Sequence, residues 1–222
     1  MEDRREAVRE IAQRLRRLYG DIRRPLDPDP FRTLIRTILS QNSSYKNEVR
    51  AFRRLDEEIG VEPRRLAEAD VGRIADCVRP AGQHRQRALR IKEVARRILE
   101  EHEGDLWGLL RDRPLEEARA ELMRLPGVGR KTADIVLLFS ARRHVFPIDR
   151  HILRIFSRLG LLGPRPDYED IRRLVEEVLP TPEDLLFLHL ALIRFGREVC
   201  RAQRPRCPSC PLADLCGFSS RA

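Results

Sequence analysis

Lysine is the residue that this chain almost lacks. Of its 44 lysines and arginines only Lys46, Lys92 and Lys131 are lysine, and the other 41 are arginine. Long apolar runs are missing too, since none reaches the roughly 18 residues of a membrane span. The charged N-terminal segment has no apolar signal core. We therefore exclude membrane insertion and expect a cytoplasmic protein.

Cysteine is also rare, with five residues in 222. An odd number of cysteines in a chain without a secretion signal argues against a disulfide framework. Cys77 stands alone between Ile74 and Val78, where we expect a small buried hydrophobic residue. The other four lie close together near the C-terminus, and this grouping favours metal binding over disulfide bonds.

Positive charge and apolar residues are what the chain has in quantity. The formal net charge is +9, the isoelectric point is near 10.0, and 41% of residues are hydrophobic. This length and apolar content are enough for a real core. The charge fits a polyanionic partner such as nucleic acid, although an arginine-rich proteome would give the same excess.

The apolar periodicity predicts an all-α protein, because no segment alternates as a strand does. Thr181 and Asp167 are predicted N-caps of the last two helices. The proline-rich stretch Leu26–Pro30 is a predicted joint, where the chain crosses between domains. We expect helices over residues 4–19, 31–40, 44–59, 71–78, 85–102, 115–124, 131–140, 150–159, 168–179 and 182–196.

The stretch LPGVGRKTADIVLLF, from Leu125 to Phe139, predicts a tight turn followed by a helix. It is not a nucleotide-binding loop, because Arg130 separates Gly129 from Lys131. Glycines in a turn at a helix N-terminus leave backbone N–H groups open to a phosphate. A plain packing corner with Leu125 and Val128 as its apolar contacts is the alternative.

Lys131 falls in the first turn of that helix, where the dipole disfavours an added positive charge and lowers a lysine pKa. A neutral amine can attack carbon, whereas arginine stays protonated. A chain that uses arginine almost everywhere else therefore has a chemical reason for lysine here. A surface lysine that touches phosphate is the alternative.

Two further groups carry chemistry. Asp149 precedes an amphipathic helix and is its predicted N-cap. The C-terminal cysteines follow the spacing Cys200-x6-Cys207-x2-Cys210-x5-Cys216. Four thiolates in one short loop suit either a tetrahedral zinc ion or a [4Fe–4S] cluster.

The string Leu-Pro-Gly-Val-Gly-Arg-Lys-Thr-Ala resembles the helix-hairpin-helix of the endonuclease III family of DNA repair glycosylases. The cysteine spacing is similar to the cluster loop of that family, which favours iron and sulfur at Cys200, Cys207, Cys210 and Cys216. The resemblance runs from about residue 31 to Cys216. Arg150 departs from it, since the family has Val-Asp-Thr-His where this chain has Ile148-Asp149-Arg150-His151.

The resemblance implies a bifunctional DNA glycosylase and AP lyase of base excision repair. Lys131 would attack C1′ of the damaged nucleotide and form a Schiff base, and Asp149 would stabilise positive charge on the sugar. It further implies that Gln41 and Gln83 fill the gap left by a flipped base, although Gln83 replaces the usual apolar residue. The implied DNA-binding residues are Gln41, Gln83, Gly127, Val128, Gly129, Arg130 and Thr132.

The resemblance also implies an organisation and a partner. We expect one helical domain at 29–144 with the hairpin, and a second made of 1–28 and 145–222 with the cluster loop at 200–216. Lys131 and Asp149 would face each other across the cleft between them. The expected partner is double-stranded DNA with a damaged base or abasic site, bound by a nucleoid-associated monomer.

Several expectations stay open from the sequence. The preferred lesion is an oxidised pyrimidine by resemblance, but the departures at Gln83 and Arg150 leave uracil or mismatched thymine possible. A mismatch glycosylase without a lysine nucleophile and a non-catalytic helix-hairpin-helix protein are the alternative functions. Arg85, Arg87 and Arg90 are predicted to form a basic face that suits phosphate, and His151 is expected to be a hydrogen-bonded structural residue.

Overall fold

The computed structural model describes residues 2–22, 27–163 and 165–218. Within these ranges the chain forms twelve α-helices and three short 3-10 helices, and no strand. This confirms the all-α prediction. In chain order, α1 to α12 are Glu2–Tyr19, Pro30–Ser40, Tyr45–Glu58, Pro63–Glu68, Val71–Val78, His84–Glu101, Trp107–Asp112, Leu115–Arg124, Arg130–Phe139, Arg150–Leu159, Tyr168–Val178 and Pro182–Glu198.

Each of the ten predicted helices is present, with ends within two residues of the expected ones. The two that the periodicity missed, α4 and α7, have six residues each. Six residues are less than two turns, so an apolar stripe cannot repeat along them. The 3-10 helices are Arg79–Ala81, Cys207–Ser209 and Ala213–Leu215.

The predicted caps of α11 and α12 are present. Asp167 accepts a hydrogen bond from the Glu169 amide at 3.0 Å, and the Thr181 hydroxyl accepts one from the Asp184 amide at 3.1 Å. A side-chain cap of this kind contributes about 1 kcal/mol to helix stability. These local bonds fix where each helix starts.

The chain divides into two compact units, Leu26–Ala141 and Met1–Pro25 with Arg142–Ala222. The domain bounds drawn from the resemblance remain a prediction. Leu26, the first residue of the expected joint, lies outside the described residues. Asp29, which follows, caps α2 by accepting from the Phe31 amide at 2.8 Å.

The unit Leu26–Ala141 holds α2 to α9. Helix α2 packs against α3 and α9, and α6 packs against α4 and α5. The α2 side chains Leu34, Ile35 and Ile38 are fully buried. Cys77 of α5 is 1% exposed, as expected, and burial raises the pKa of its thiol to about 11.

In the other unit α10 and α1 both pack on α12. The buried face of α10 consists of Ile152, Ile155, Phe156 and Leu159. Arg14 of α1 donates to the Pro211 carbonyl at 2.8 Å and pairs with Asp214. The N-terminal helix is therefore tied to the cysteine loop. Among the described residues no helix is both long and apolar enough to cross a membrane.

Candidate functional site

Helices α8 and α9 form a hairpin around the glycine turn. Gly127 has φ +77°, a left-handed conformation that favours glycine, and an added Cβ would collide with the Arg90 side chain. Leu125 and Val128 are buried, so both the packing corner and the open turn are present in one structure. Gly129 is the N-cap of α9 and offers no side-chain cap. The first amides of α9 are thus left without an intrahelical partner.

A buried ion pair joins the two helices of the hairpin. The Nε of Arg119 in α8 donates to Asp134 Oδ1 in α9 at 2.6 Å, and a second bond to Oδ2 measures 3.3 Å. Asp134 is 0% exposed and Arg119 7%. Two charges are retained inside a hairpin only if they are mutually paired. The pair therefore joins the two helices behind the turn.

Lys131 is the second residue of α9 and is half-buried. Arg130 beside it is exposed, and Thr132 is buried at 5%. The structure therefore places Lys131 in the first helical turn, as the sequence predicted. Of its two neighbours in the helix, Arg130 is exposed to solvent and Thr132 is buried in the hairpin.

Gln41 is brought to the hairpin from the end of α2. Its Nε2 donates to the Gly127 carbonyl at 3.0 Å, and a longer bond to the Thr132 hydroxyl measures 3.4 Å. Arg90 donates to Gln41 Oε1 at 3.2 Å. Both ends of the carboxamide are therefore used, and Gln41, Gly127 and Thr132 form one cluster with Arg90.

Gln83 lies on a separate turn, before α6. It is exposed, it has φ +49°, and its side chain does not cap the helix. A left-handed conformation at a residue other than glycine is strained by about 1 kcal/mol or more. The structure shows no side-chain bond that brings Gln83 to the Gln41 cluster.

The predicted basic face is wrong at Arg87. Arg87 is 4% exposed and its guanidinium donates to backbone carbonyls rather than facing solvent. Arg90 is held by Gln41, and Arg85 is exposed. Helical periodicity could not separate these residues, since arginines occur on both faces of α6.

Asp149 is the N-cap of α10, as predicted. Its Oδ1 accepts from the His151 amide at 2.8 Å and from the Ile152 amide at 2.9 Å. Within the described chain no hydrogen bond is made to Oδ2. One carboxylate oxygen thus fixes the helix start, while the other is available for chemistry.

Asp149 ends an extended segment whose backbone is paired by side chains. The Phe146 amide donates to Glu176 at 2.8 Å, and the Ile148 amide donates to the Tyr168 hydroxyl at 3.1 Å. The Pro147 carbonyl lies 2.8 Å from Nδ1 of buried His189. Buried backbone groups need such partners. The segment, and Asp149 with it, is fixed by α11 and α12.

His151 has the structural role expected of it. Its Nδ1 lies 3.1 Å from the guanidinium of Arg154, which also donates to the carbonyls of Gly196 and Cys200 at 2.8 Å. Burial lowers the His151 pKa, and the nearby Asp149 opposes that shift. The helix start is thereby linked to the beginning of the cysteine loop.

The four C-terminal cysteines line one small cavity. Arg158, Val199, Pro205, Arg206 and Phe218 complete its wall. Arg158 donates to the Cys200 sulfur at 3.3 Å, and the Cys216 sulfur donates to the Arg158 carbonyl at 3.4 Å. Burial raises the pKa of the Cys210 thiol, and the other three cysteines add to the shift. The structure thus brings together the four residues predicted as ligands.

The cysteine sulfurs lie further apart than the thiolates of a tetrahedral zinc site. Among the described residues only Glu101, His102 and Glu121 place three potential ligand atoms within 4.8 Å of one another. No three of the cysteine sulfurs are that close. Zn–S bonds of about 2.3 Å would put the sulfurs about 3.8 Å apart. Four thiols at this spacing fit a group larger than a single metal ion.

Comparison with known proteins identifies the family. A model described as the HhH-GPD superfamily base excision DNA repair protein matches residues 35–181. The chain is 41% identical to endonuclease III of Sulfolobus acidocaldarius over 189 residues, which are 85% of this chain and 82% of the relative. The chain belongs to the endonuclease III family.

Two further relatives agree with this assignment. Endonuclease III of Thermotoga maritima is 35% identical and is matched over 97% of this chain and 93% of its own length. A solved structure of a trapped endonuclease III–DNA covalent intermediate superposes with a TM-score of 0.84 at 27% identity, covering 98% of this chain and 97% of that one. The resemblance drawn from the hairpin and the cysteines is confirmed at the level of the family.

Sequence reasoning missed the residues that support the hairpin and the segment before Asp149. Arg119 and Asp134 read as ordinary helix residues, and His189 as one polar residue in an apolar helix. Asp134 stands among Ala133, Val136 and Leu137 on the buried side of α9, and that position was the available signal. No such signal in the sequence marked Glu176 or Tyr168.

Proposed function

We propose that this protein is a bifunctional DNA glycosylase and AP lyase that removes oxidised pyrimidines and cleaves the strand by β-elimination. The observation that carries the proposal is Lys131, a half-buried amine in the first turn of the hairpin helix, in a chain 41% identical to an endonuclease III. A positive helix end favours the neutral form of such an amine. Arginine could not replace it as a nucleophile.

The reaction follows from these residues. The Lys131 nitrogen forms a bond to C1′ while the glycosidic C1′–N bond breaks, and the base leaves with the bonding electrons and takes up a proton. Loss of a proton from the amine and opening of the sugar ring give the Schiff base. Removal of a C2′ proton then expels the 3′ phosphate. Asp149 Oδ2 stabilises the positive charge on the sugar and accepts protons.

DNA binding is assigned to the hairpin and the neighbouring turns. The uncapped amides of α9 complement a phosphate, and exposed Arg130 adds charge. Gly127, Val128, Gly129 and Thr132 shape this turn. Gln41 and Gln83 fill the space of the nucleotide that is turned out of the stack. The proposed partner is therefore duplex DNA with a damaged or abasic nucleotide.

A [4Fe–4S] cluster is the proposed cofactor, held by Cys200, Cys207, Cys210 and Cys216. The cavity that they line and the spacing of their sulfurs support it. When bound, the cluster gives the short loop the stability that a core would otherwise supply. The exposed Arg197, Arg201, Arg204 and Arg206 beside it are available to the DNA backbone.

Borohydride trapping tests the enzyme directly, because only a Schiff base is reduced to a stable protein–DNA adduct. The wild type should form this adduct on a thymine glycol duplex. Lys131→Ala and Lys131→Arg should abolish it while DNA affinity, measured by fluorescence anisotropy, stays within about threefold. Retained binding reflects the phosphate contacts, which do not require this amine.

Lys46→Ala is the matched control, since Lys46 is an exposed lysine of α3. It should trap like the wild type. A wild type that releases base but forms no adduct would assign the chain to the monofunctional mismatch glycosylases. A wild type that only binds would leave a helix-hairpin-helix DNA-binding protein.

A further inference from the structure

Arg87 is a buried cation without a carboxylate partner among the described residues. It is 4% exposed, and none of its interactions is an ion pair. A buried charge is costly unless it is paired or fully hydrogen-bonded. Burial, with Arg90 nearby, lowers the Arg87 pKa. A buried arginine cannot contribute to solubility, so its role must be sought in the hydrogen bonds that it makes.

Four backbone carbonyls surround its guanidinium. Nε donates to Gly82 O at 3.0 Å, and Nη2 donates to Ala81 O at 3.3 Å and to Gln41 O at 2.9 Å. Nη1 donates to the carbonyl of Ile38, in the last turn of α2. The four acceptors fall into two pairs. One pair precedes Gln83, and the other ends at Gln41.

Apart from their bonds to Arg87, the Gln41 turn and the Gln83 turn are held differently. The Gln41 side chain is held by Gly127 O and by Arg90. The Gln83 side chain is exposed on a backbone with φ +49° and makes no cap bond. Among the residues that the structure describes, Arg87 is the side chain that hydrogen-bonds to the backbones of both turns. Lysine has three donors on one atom and cannot reproduce this planar arrangement.

We propose that Arg87 is a positioning residue that sets the distance between the Gln41 and Gln83 turns, so that both glutamines reach one nucleotide gap. This inference rests on the proposed function, because it assumes that the two glutamines enter DNA. It gives Arg87 no contact with DNA and no part in the chemistry.

If Arg87 acts in this way, substituting it should affect base release and strand cleavage differently. Base release from an intact lesion requires the base to be unstacked and the gap to be filled, whereas an abasic site has no base to unstack. Arg87→Lys should therefore slow single-turnover base release by about tenfold or more, the usual effect of losing a charged hydrogen bond. Strand cleavage at a preformed abasic site should slow by less than about threefold.

A second measurement tests whether Arg87 acts through Gln41 and Gln83. Gln41→Ala with Gln83→Ala should show the same split between the two substrates, and adding Arg87→Lys to that pair should slow base release by less than about twofold more. Arg64→Lys is the matched control, because Arg64 is an exposed arginine of α4 in the same unit. It should behave like the wild type.

The outcomes distinguish the two proposals. A wild type without base release and without a trapped adduct refutes the proposed function. An active wild type with Arg87→Lys equal to Arg64→Lys, or with both steps slowed equally, refutes the positioning role. If Arg87→Lys fails to fold, hydrogen exchange of the Arg87 Nε–H in the wild type tests the buried bonds instead. Slow exchange supports the buried bonds, and exchange as fast as that of Arg64 overturns them.

Discussion

Asp149 allows helix capping and chemistry to be separated by two substitutions at one position. Its Oδ1 accepts both amide bonds of the α10 cap, at 2.8 and 2.9 Å, and Oδ2 accepts none from the described residues. Asparagine keeps an acceptor oxygen in the place of Oδ1 and loses only the charge. Alanine loses both bonds.

The stability effects follow from the cap. Asparagine and aspartate are about equal as N-caps, whereas alanine costs about 1 kcal/mol, with a range of about 0.5–2. For a chain of this size 1 kcal/mol shifts the melting temperature by about 2–4 °C. We expect Asp149→Ala to melt about 2–4 °C lower than the wild type and Asp149→Asn to melt within about 1 °C of it.

The activity effects should not follow that order. Both substitutions remove the carboxylate, so both should slow single-turnover base release by about 10²- to 10⁴-fold, the range for a general acid or base. Melting is followed by circular dichroism, and base release by a gel assay after strand cleavage. If Asp149→Asn melts as low as alanine yet keeps its activity, the division between Oδ1 and Oδ2 is refuted.

Two other predictions concern supporting groups. Asp134→Ala removes the buried carboxylate that pairs with Arg119 and leaves Glu116, 3.7 Å from the guanidinium and mostly exposed, as a poor substitute. We expect a cost of about 3–5 kcal/mol in urea unfolding, most of it recovered by leucine at both positions. A loss under about 1 kcal/mol would mean that the pair does not hold the hairpin. The wild type should contain about four iron atoms per chain, and Cys207→Ser should lose them while Cys77→Ser keeps them, because Cys77 is a buried thiol of α5. Stoichiometric zinc in the wild type would contradict the cluster.

The sequence predicted features that depend on neighbouring residues. Asp149, Asp167 and Thr181 cap helices through bonds to amides two or three residues ahead, so a polar residue before an apolar stripe was enough to find them. Lys131 was found in the same way, from a glycine turn and a helical pattern. The cysteine spacing likewise lies within one short loop.

Features that depend on distant residues were not predictable. His189 lies 42 residues from Pro147, Glu176 lies 30 from Phe146, and Arg87 lies 46 from Gln41. No periodicity connects such positions, since each bond depends on how the helices pack. Arg87 was misplaced for this reason, because a pattern of arginines does not show which of them turns inward.

The helix starts that carry the proposed chemistry are used in opposite ways. At α10 the Asp149 carboxylate occupies the first amides, which leaves no place there for a phosphate. At α9 Gly129 has no side chain and so provides no side-chain cap, and the positive end of the helix dipole is not neutralised by a capping carboxylate. In the proposed function an anion of the DNA backbone would therefore bind at α9, next to the amine, whereas the protein supplies its own anion at α10. The same property of a helix N-terminus would thus position the substrate in one place and, as proposed, a catalytic carboxylate in the other.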